Sequence, residues 1–214
     1  MLDDIAVYVN LFDERRRWRL DLDNTDERLM DAAEELFASK GYDGVTVREI
    51  IKAADVKNIG AISYYFGGKR ELYFAILRRH FRKVHRLAEM INREHDSPVE
   101  KLRLIFRAVR ETYLRSPNTI KLLLNEINQP SEFFDELELE MINVQNIAQR
   151  IIEEGIERGI FRRDLDVRSA TLVMMSIAHF AYMVPNLSRR LLDDDYLERS
   201  LDCYIKGLGA RDFA

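Results

Sequence analysis

One short stretch of the chain holds the residue types that suit contact with a nucleic acid. Tyrosine hydroxyls and lysine ammonium groups donate hydrogen bonds to phosphate oxygens. Glycine and alanine leave room for a helix to approach a surface closely. The residues of this kind, with one polar neighbour, are Lys57, Asn58, Gly60, Ala61, Tyr64 and Tyr65.

A helical wheel divides this stretch into two faces. At about 100° per residue, a helix over 59–66 has an easily buried side made of Ile59, Ile62, Ser63 and Phe66. The opposite side has small residues at its N-terminal end and aromatic hydroxyls at its C-terminal end. That side suits a recognition helix in a DNA major groove, although a core helix of an all-α protein would show the same pattern.

The preceding residues predict the first helix of a helix-turn-helix. Thr46 is followed by Glu49 three positions later, which is the spacing of a capping box. Asn58 is a suitable N-cap for the second helix, and Gly67-Gly68 ends it. The buried face of the first helix follows a helical period and consists of Val47, Ile50, Ile51 and Ala54.

Another helix before this pair completes a three-helix unit. Either Asn24 or Thr25 caps its start, and Gly41 closes its C-terminal end. Its buried face recurs at helical spacing and comprises Leu29, Ala32, Ala33, Leu36 and Phe37. We therefore predict a helix-turn-helix DNA-binding domain over residues 24–68.

Four motifs in this region together resemble the DNA-binding domain of the TetR family of bacterial regulators. They are Ala-Ala-x-x-Leu-Phe from Ala32, Gly-Tyr-x-x-x-Thr-Val from Gly41, Ile-x-x-x-Ala-x-Val from Ile50, and Tyr-Phe-x-x-Lys-x-x-Leu from Tyr65. The resemblance implies a dimeric, repressor-type fold of nine or more helices. The remaining chain resembles the family only in layout.

The turn departs from the usual family pattern. Val56 and Phe66 are one residue further apart, which moves the expected start of the recognition helix to Asn58. We expect the groove-facing residues to be Lys57, Asn58, Gly60, Ala61 and Tyr64. We expect the phosphate contacts to come from Thr46, Tyr65 and Lys69.

A long helix should follow from Lys69 to about Arg93 and connect the DNA-binding domain to the rest of the chain. Lys69 lies at its N-terminus, where backbone amides and an ammonium group can anchor a phosphate. Residues 1–23 form an N-terminal extension that contains Arg15-Arg16-Arg17-Trp18-Arg19. This segment is either a basic arm along the minor groove or a solvated tail.

Composition limits the class of protein. The 214 residues have a net charge of −4, which argues against a protein that coats nucleic acid, and the basic residues cluster between Lys69 and Arg93. The one cysteine excludes an internal disulfide and suits a reducing compartment. Neither a signal peptide nor an apolar run of membrane-spanning length is present, so we expect a cytoplasmic protein with no membrane partner.

Residues 69–214 are expected to form an effector-binding and dimerisation domain. Ser97-Pro98, Ser116-Pro117 and Gln129-Pro130 divide it into helices. The apolar stretch 166–183 and a last helix over about 194–206 suit a four-helix dimer interface made by two copies of the chain. The predicted architecture is therefore all-α, with an N-terminal helix-turn-helix and a C-terminal bundle that dimerises through its last two helices.

Polar groups on otherwise apolar helix faces are the candidates for a small-molecule site, although each could equally be a satisfied core or interface residue. They are Tyr113, Asn125, Glu126, His179 and Tyr182. We predict no metal site, no cofactor and no enzymatic activity, because the histidines are scattered and no nucleophile stands beside a base.

The sequence thus predicts a transcriptional repressor that binds double-stranded operator DNA as a homodimer and is released by a small-molecule ligand. A helical adaptor that binds proteins and no DNA is the alternative, with Tyr64 and Tyr65 as its aromatic patch. An all-α enzyme that uses a C-terminal cavity is a third class.

Overall fold

The computed structural model describes residues 24–128, 134–183 and 195–209, with the side chains of 127–128, 134–136 and 180–183 left aside. The described residues are almost wholly helical, which confirms the predicted all-α class. The helices are α1 Thr25–Lys40, α2 Val47–Ala53, α3 Ala61–Phe66, α4 Lys69–Glu94, α5 Pro98–Arg115, α6 Pro117–Asn128, α7 Phe134–Glu157, α8 Val167–Met183 and α9 Tyr196–Leu208. The basic run at Arg15–Arg19 lies outside the described residues.

The described residues form two compact units. The first, which we call the helix-turn-helix unit, comprises 24–83 and 116–140, and the second comprises 84–115 and 141–209. The helix-turn-helix unit thus takes in the start of α4 and all of α6, beyond the domain expected over residues 24–68. That boundary and the extent of the 69–214 domain stay predictions.

The helix ends of the helix-turn-helix unit follow from local chemistry. Thr46 and Glu49 form the predicted capping box: the Thr46 hydroxyl accepts from the Glu49 N–H, and the Glu49 carboxylate accepts from the Thr46 N–H. Gly41 ends α1 at φ 76° and Gly67 ends α3 at φ 91°, a region that glycine adopts without steric cost. These local signals place three of the helix boundaries.

An apolar core joins the first three helices to the start of α4. Leu29, Phe37 and Ile50 have no exposed surface, and Ile62 is 1% exposed. The Phe37 and Tyr73 rings meet edge to face with centroids 5.1 Å apart. Each fully buried side chain of this size stabilises the fold by about 1.5–3 kcal/mol relative to exposure.

Ion pairs hold α1 against α4 within the helix-turn-helix unit. Arg79 on α4 donates to Glu27 at 2.9 Å, to Asp31 at 2.9 Å and to Glu34 at 2.8 Å, all on α1. Burial opposes the charge on Arg79, but the attraction of Asp31, Glu34 and Glu27 raises the pKa of its guanidinium. Arg79 is 24% exposed and Glu34 is 15% exposed, so water screens this pair less than a surface ion pair, whereas Asp31 is 62% exposed.

The second unit contains a tight helix-to-loop reversal after α7. Gly159 adopts φ 69°, and the N–H groups of Ile160 and Phe161 return to the Gly155 carbonyl at 2.9 and 3.0 Å. Phe161 then packs onto Gly155, where an added Cβ would lie 2.1 Å from a ring carbon. Only a residue without a side chain fits at this contact.

We expect Gly155→Ala to destabilise the second unit. The new methyl group would force Phe161, which is 1% exposed, out of its site, and overpacking of this kind costs about 1–3 kcal/mol. Thermal unfolding followed by circular dichroism should show a lower midpoint. The matched control is Gly207→Ala on α9, where an added Cβ meets nothing within 4 Å. Equal midpoints for the two variants would contradict this packing.

Candidate nucleic-acid interface

The turn between α2 and α3 has a fixed backbone. Asp55 adopts φ 51°, a left-handed conformation that aspartate tolerates better than most residues. The Asn58 side-chain oxygen accepts from the Gly60 N–H at 2.9 Å, and the Asn58 carbonyl accepts from the Ala61 N–H at 3.1 Å. Asn58 therefore caps a turn, whereas the N-cap of α3 is Gly60. The helix starts at Ala61, later than the sequence predicted.

A long-range contact fixes the same turn from α1. Arg28 donates to the carbonyls of Ala54 and Asp55 at 2.5 and 2.6 Å, and its guanidinium lies 3.9 Å from the Asp55 carboxylate. These carbonyls follow the last residue of α2, where no intrahelical donor remains. Arg28 thus ties the end of α2 to α1.

The structure corrects the predicted faces of the recognition helix. Ala61 is 2% exposed and Ile62 is 1% exposed, so the predicted groove contact from the Ala61 side chain is wrong. Ile59, expected in the core, is 67% exposed, and Ser63 is also exposed. The wheel failed because Ile59 belongs to the turn and not to the helix. Without Ile59, the buried side of the helix centres on Ala61 and Ile62, and Ser63 lies outside it.

The two tyrosines form an exposed pair at the C-terminal end of α3. Tyr64 is 81% exposed and Tyr65 is 42% exposed. Their rings meet at 88° with centroids 4.9 Å apart, a favourable edge-to-face arrangement. Lys57, Asn58 and Gly60 are exposed as well. The residues predicted to face the groove are therefore exposed, with Ala61 as the exception, and their contacts with DNA stay predictions.

The residues predicted to contact phosphates differ in the partners that their side chains already have. The Thr46 hydroxyl donates to Glu49 at 2.8 Å, so a phosphate oxygen would compete with that carboxylate for the same proton. The Lys69 ammonium lies 4.2 Å from the centroid of the Tyr42 ring, a cation–π contact that holds the side chain at the start of α4. The roles of Thr46, Tyr65 and Lys69 stay predictions.

Two cations on α2 were missed by sequence reasoning. Arg48 and Lys52 are exposed, four residues apart on a helix of the kind that crosses the DNA backbone in helix-turn-helix proteins. Their spacing on the polar side of the Val47–Ala53 pattern could have revealed them. Arg78 and Arg79 of the basic run, in contrast, pair with carboxylates within the unit.

The residues predicted to line a ligand site have different environments. In the second unit, the Tyr113 hydroxyl is hydrogen-bonded to His179 Nε2, and His179 Nδ1 meets the Met175 carbonyl. Burial lowers the pKa of His179, so the ring is neutral near pH 7.

In the helix-turn-helix unit, Tyr73 donates to Glu126 at 2.6 Å and both side chains are buried. Asn125 is exposed, which does not fit a place inside a buried site. The Tyr182 side chain lies outside the described residues. Glu126, like Tyr113 and His179, therefore has a polar partner from within its own unit, and a ligand-binding role for any of these residues stays a prediction.

Other kinds of site find no support in the described part of the chain. No group of three or more His, Cys, Asp or Glu side chains among the described residues could hold a metal ion. The described helices include none that is long and apolar enough to cross a bilayer.

A three-helix unit with a capped α2, a fixed turn and an exposed, tyrosine-bearing α3 defines a helix-turn-helix DNA-binding protein. Two family descriptions match this chain: "Bacterial regulatory proteins, tetR family" over residues 29–76, and "Tetracyclin repressor-like, C-terminal domain" over residues 98–202. The chain therefore belongs to the TetR family of transcriptional regulators, as the motifs from Ala32 to Leu72 indicated.

Curated relatives are similar along much of their length. The HTH-type transcriptional repressor NicS of Pseudomonas putida is 23% identical over 87% of this chain and 93% of its own. The HTH-type transcriptional repressor KstR2 of Mycolicibacterium smegmatis is 27% identical over 66% of this chain and 69% of its own. The fatty acid metabolism regulator protein of Bacillus subtilis is 28% identical over 67% of this chain and 74% of its own.

Solved structures share the fold. FadR of Bacillus subtilis, solved in complex with stearoyl-CoA, has a TM-score of 0.74 at 23% identity and covers 85% of this chain and 98% of its own. FadR of Bacillus halodurans has the same TM-score at 20% identity, over 85% and 98%. The predicted fold, an N-terminal helix-turn-helix followed by a helical C-terminal domain, is therefore confirmed.

We expect the capping box to make the stability of the helix-turn-helix unit depend on acidic pH. Hydrogen bonds from Lys40 and from Thr46 lower the pKa of Glu49 from 4.5 to about 2. Because the folded-state pKa lies below the ordinary value, the contribution of Glu49 is fully present above pH 4.5 and is lost as the pH falls to 2. The difference in the free energy of unfolding between the wild type and Glu49→Gln, measured at a series of pH values, should shrink as the pH falls from 4.5 to 2. A difference that stays constant from neutral pH down to that lower limit would contradict the capping role.

Proposed function

We propose that this chain is a ligand-responsive repressor that binds double-stranded operator DNA as a homodimer. The exposed surface formed by the α2–α3 turn and the two α3 tyrosines carries the proposal, together with the family to which the chain belongs. A cytoplasmic site of action and the absence of enzymatic activity are part of the same proposal, because a regulator of this class meets its operator inside the cell and binds the DNA without transforming it.

The DNA contacts are assigned from exposure and chemistry. Lys57, Asn58, Gly60 and Tyr64 are exposed around the α2–α3 turn and would face the major groove. Thr46, Tyr65 and Lys69 would contact phosphates, and the exposed cations Arg48 and Lys52 extend that set. Phosphate contacts fix the register on the duplex, while the groove-facing residues supply the sequence preference.

A second copy of the chain is needed to read a two-fold symmetric site. The apolar helix α8 presents two consecutive aliphatic side chains to water, Leu172 at 45% and Val173 at 50% exposure. This surface supports the predicted dimer contact through the last two helices, because burial against a partner would remove it from water.

Release from DNA is proposed to follow binding of a small molecule. FadR of Bacillus subtilis was solved in complex with stearoyl-CoA, so long-chain acyl-CoA thioesters are the first class to test on this chain. A ligand can shift the repressor only if it binds one conformation more tightly than the other. Tyr113 and His179, a hydrogen-bonded pair in the second unit, are the residues that we propose such a ligand contacts.

The test is a salt titration of binding to DNA from the upstream region of the protein's own gene. Each phosphate neutralised by a cation contributes a slope of about −0.9 in a plot of log affinity against log salt. We expect Lys52→Gln, which removes an exposed cation assigned to a phosphate contact, to weaken binding uniformly across sequences and to reduce that slope by about one. Arg163→Gln, which removes an exposed cation from the second unit, is the matched control and should change neither.

Affinity that is indifferent to both salt and sequence would contradict the proposed function. Binding that persists unchanged with stearoyl-CoA and shorter acyl-CoA thioesters would leave the repressor proposal in place and remove this effector class.

A further inference from the structure

Ile59 is a large apolar side chain held in water at the tip of the DNA-binding turn. Its exposure is 67%, whereas Ile50, Ile51 and Ile62 nearby along the chain are at most 6% exposed. A single exposed apolar residue is common on protein surfaces, so exposure alone means little. The position and the rigidity of this residue carry the argument.

Two hydrogen bonds define the backbone of the turn that contains Ile59. The Asn58 side chain accepts from the Gly60 N–H at 2.9 Å, and the Asn58 carbonyl accepts from the Ala61 N–H at 3.1 Å. These two bonds close the backbone around Ile59. Ala61 and Ile62, the next side chains after Gly60, are buried in the core, whereas Ile59 lies outside it.

The side chain itself is also stiff. Isoleucine is branched at Cβ and has few side-chain conformers to lose when it is placed against a surface. Gly60 next to it is exposed and carries no side chain that could cover it. The tip of the turn therefore presents a compact aliphatic group with little rotamer entropy to lose on contact.

The groove offers one apolar partner for such a group. Base edges in the major groove present hydrogen-bond donors and acceptors, and the C5-methyl group of thymine is the apolar feature among them. Isoleucine can neither donate nor accept a hydrogen bond. A cytosine or guanine edge opposite Ile59 would leave polar groups without partners.

We propose that Ile59 is a specificity-determining residue that contacts the C5-methyl group of a thymine in each operator half-site. This inference rests on the proposed function and names one feature of the DNA that the site reads. The adjacent exposed residues Lys57, Asn58 and Tyr64 belong to the same surface, so Ile59 extends the interface already described.

The experiment replaces thymine by deoxyuridine, which removes only the methyl group. An operator is first selected from a random-sequence duplex pool with the wild-type protein, and each thymine is then replaced one position at a time. For the wild type, we expect one position in each half-site to weaken binding by about fourfold, the factor for burying one methyl group. Ile59→Ala should bind the two forms of DNA at that position with equal affinity.

Two controls separate this effect from a general loss of structure. Leu114→Ala removes another exposed aliphatic side chain, 53% exposed, from the second unit and should keep the full thymine preference. Thermal unfolding should give the same midpoint for Ile59→Ala as for the wild type, because no buried contact is lost. Ile59→Val should retain most of the discrimination.

The outcomes distinguish the two claims. Sequence-specific binding by the wild type with no sensitivity to deoxyuridine at any position would overturn the role of Ile59 and leave the repressor proposal intact. The same holds if Ile59→Ala keeps the wild-type sensitivity. If the wild-type protein selects no sequence from the pool, the proposed function fails and this inference fails with it.

Discussion

A helix of six residues cannot hold its own shape in water, and α3 is a helix of this length. The position of the residues proposed on α3 for DNA contact therefore depends on how the neighbouring helices hold this helix. Ala61 and Ile62 anchor its first turn in the core, and Gly67 ends it in a left-handed conformation. Tyr64 is exposed on this anchored helix, and Ile59 is exposed in the turn before it.

The helices that support α3 are themselves tied by polar groups far apart in the chain. Arg28 holds the carbonyls at the end of α2, and Arg79 joins α4 to three carboxylates of α1. Thr119 on α6 donates to Glu34 at 2.6 Å, and Lys121 donates to the Ala38 carbonyl. Removing Arg79 would leave three carboxylates of α1 near one another without their shared cation, and like charges at close range repel. Helix α1 therefore acts as the frame to which the turn, α4 and α6 are attached.

Local sequence signals predicted the helix ends well, but they did not predict the long-range contacts that join one helix to another. The Thr46–Glu49 capping box and Gly41 were predictable because their partners lie within three or four residues. The Arg28 and Arg79 contacts join residues about 26 and 45–52 positions apart, where no periodic pattern connects them. The error at Ile59 and Ala61 arose because the Asn58-capped turn takes Ile59 out of the helix, and counting Ile59 as helical had moved the expected buried side away from Ala61. Polar residues predicted for a ligand site, such as Glu126 and His179, proved to have partners such as Tyr73 and Tyr113 that only the fold brings near.

The central claim is that DNA binding by α3 depends on the attachment of α1 to α4 through Arg79. The most direct measurement is the operator affinity of Arg79→Gln beside that of Arg82→Gln, which removes an exposed arginine from the same helix. At a temperature where both variants remain folded, we expect Arg79→Gln to bind on the order of tenfold more weakly than the wild type, equivalent to about 1.4 kcal/mol, and Arg82→Gln to change far less. Wild-type affinity in Arg79→Gln would contradict the account.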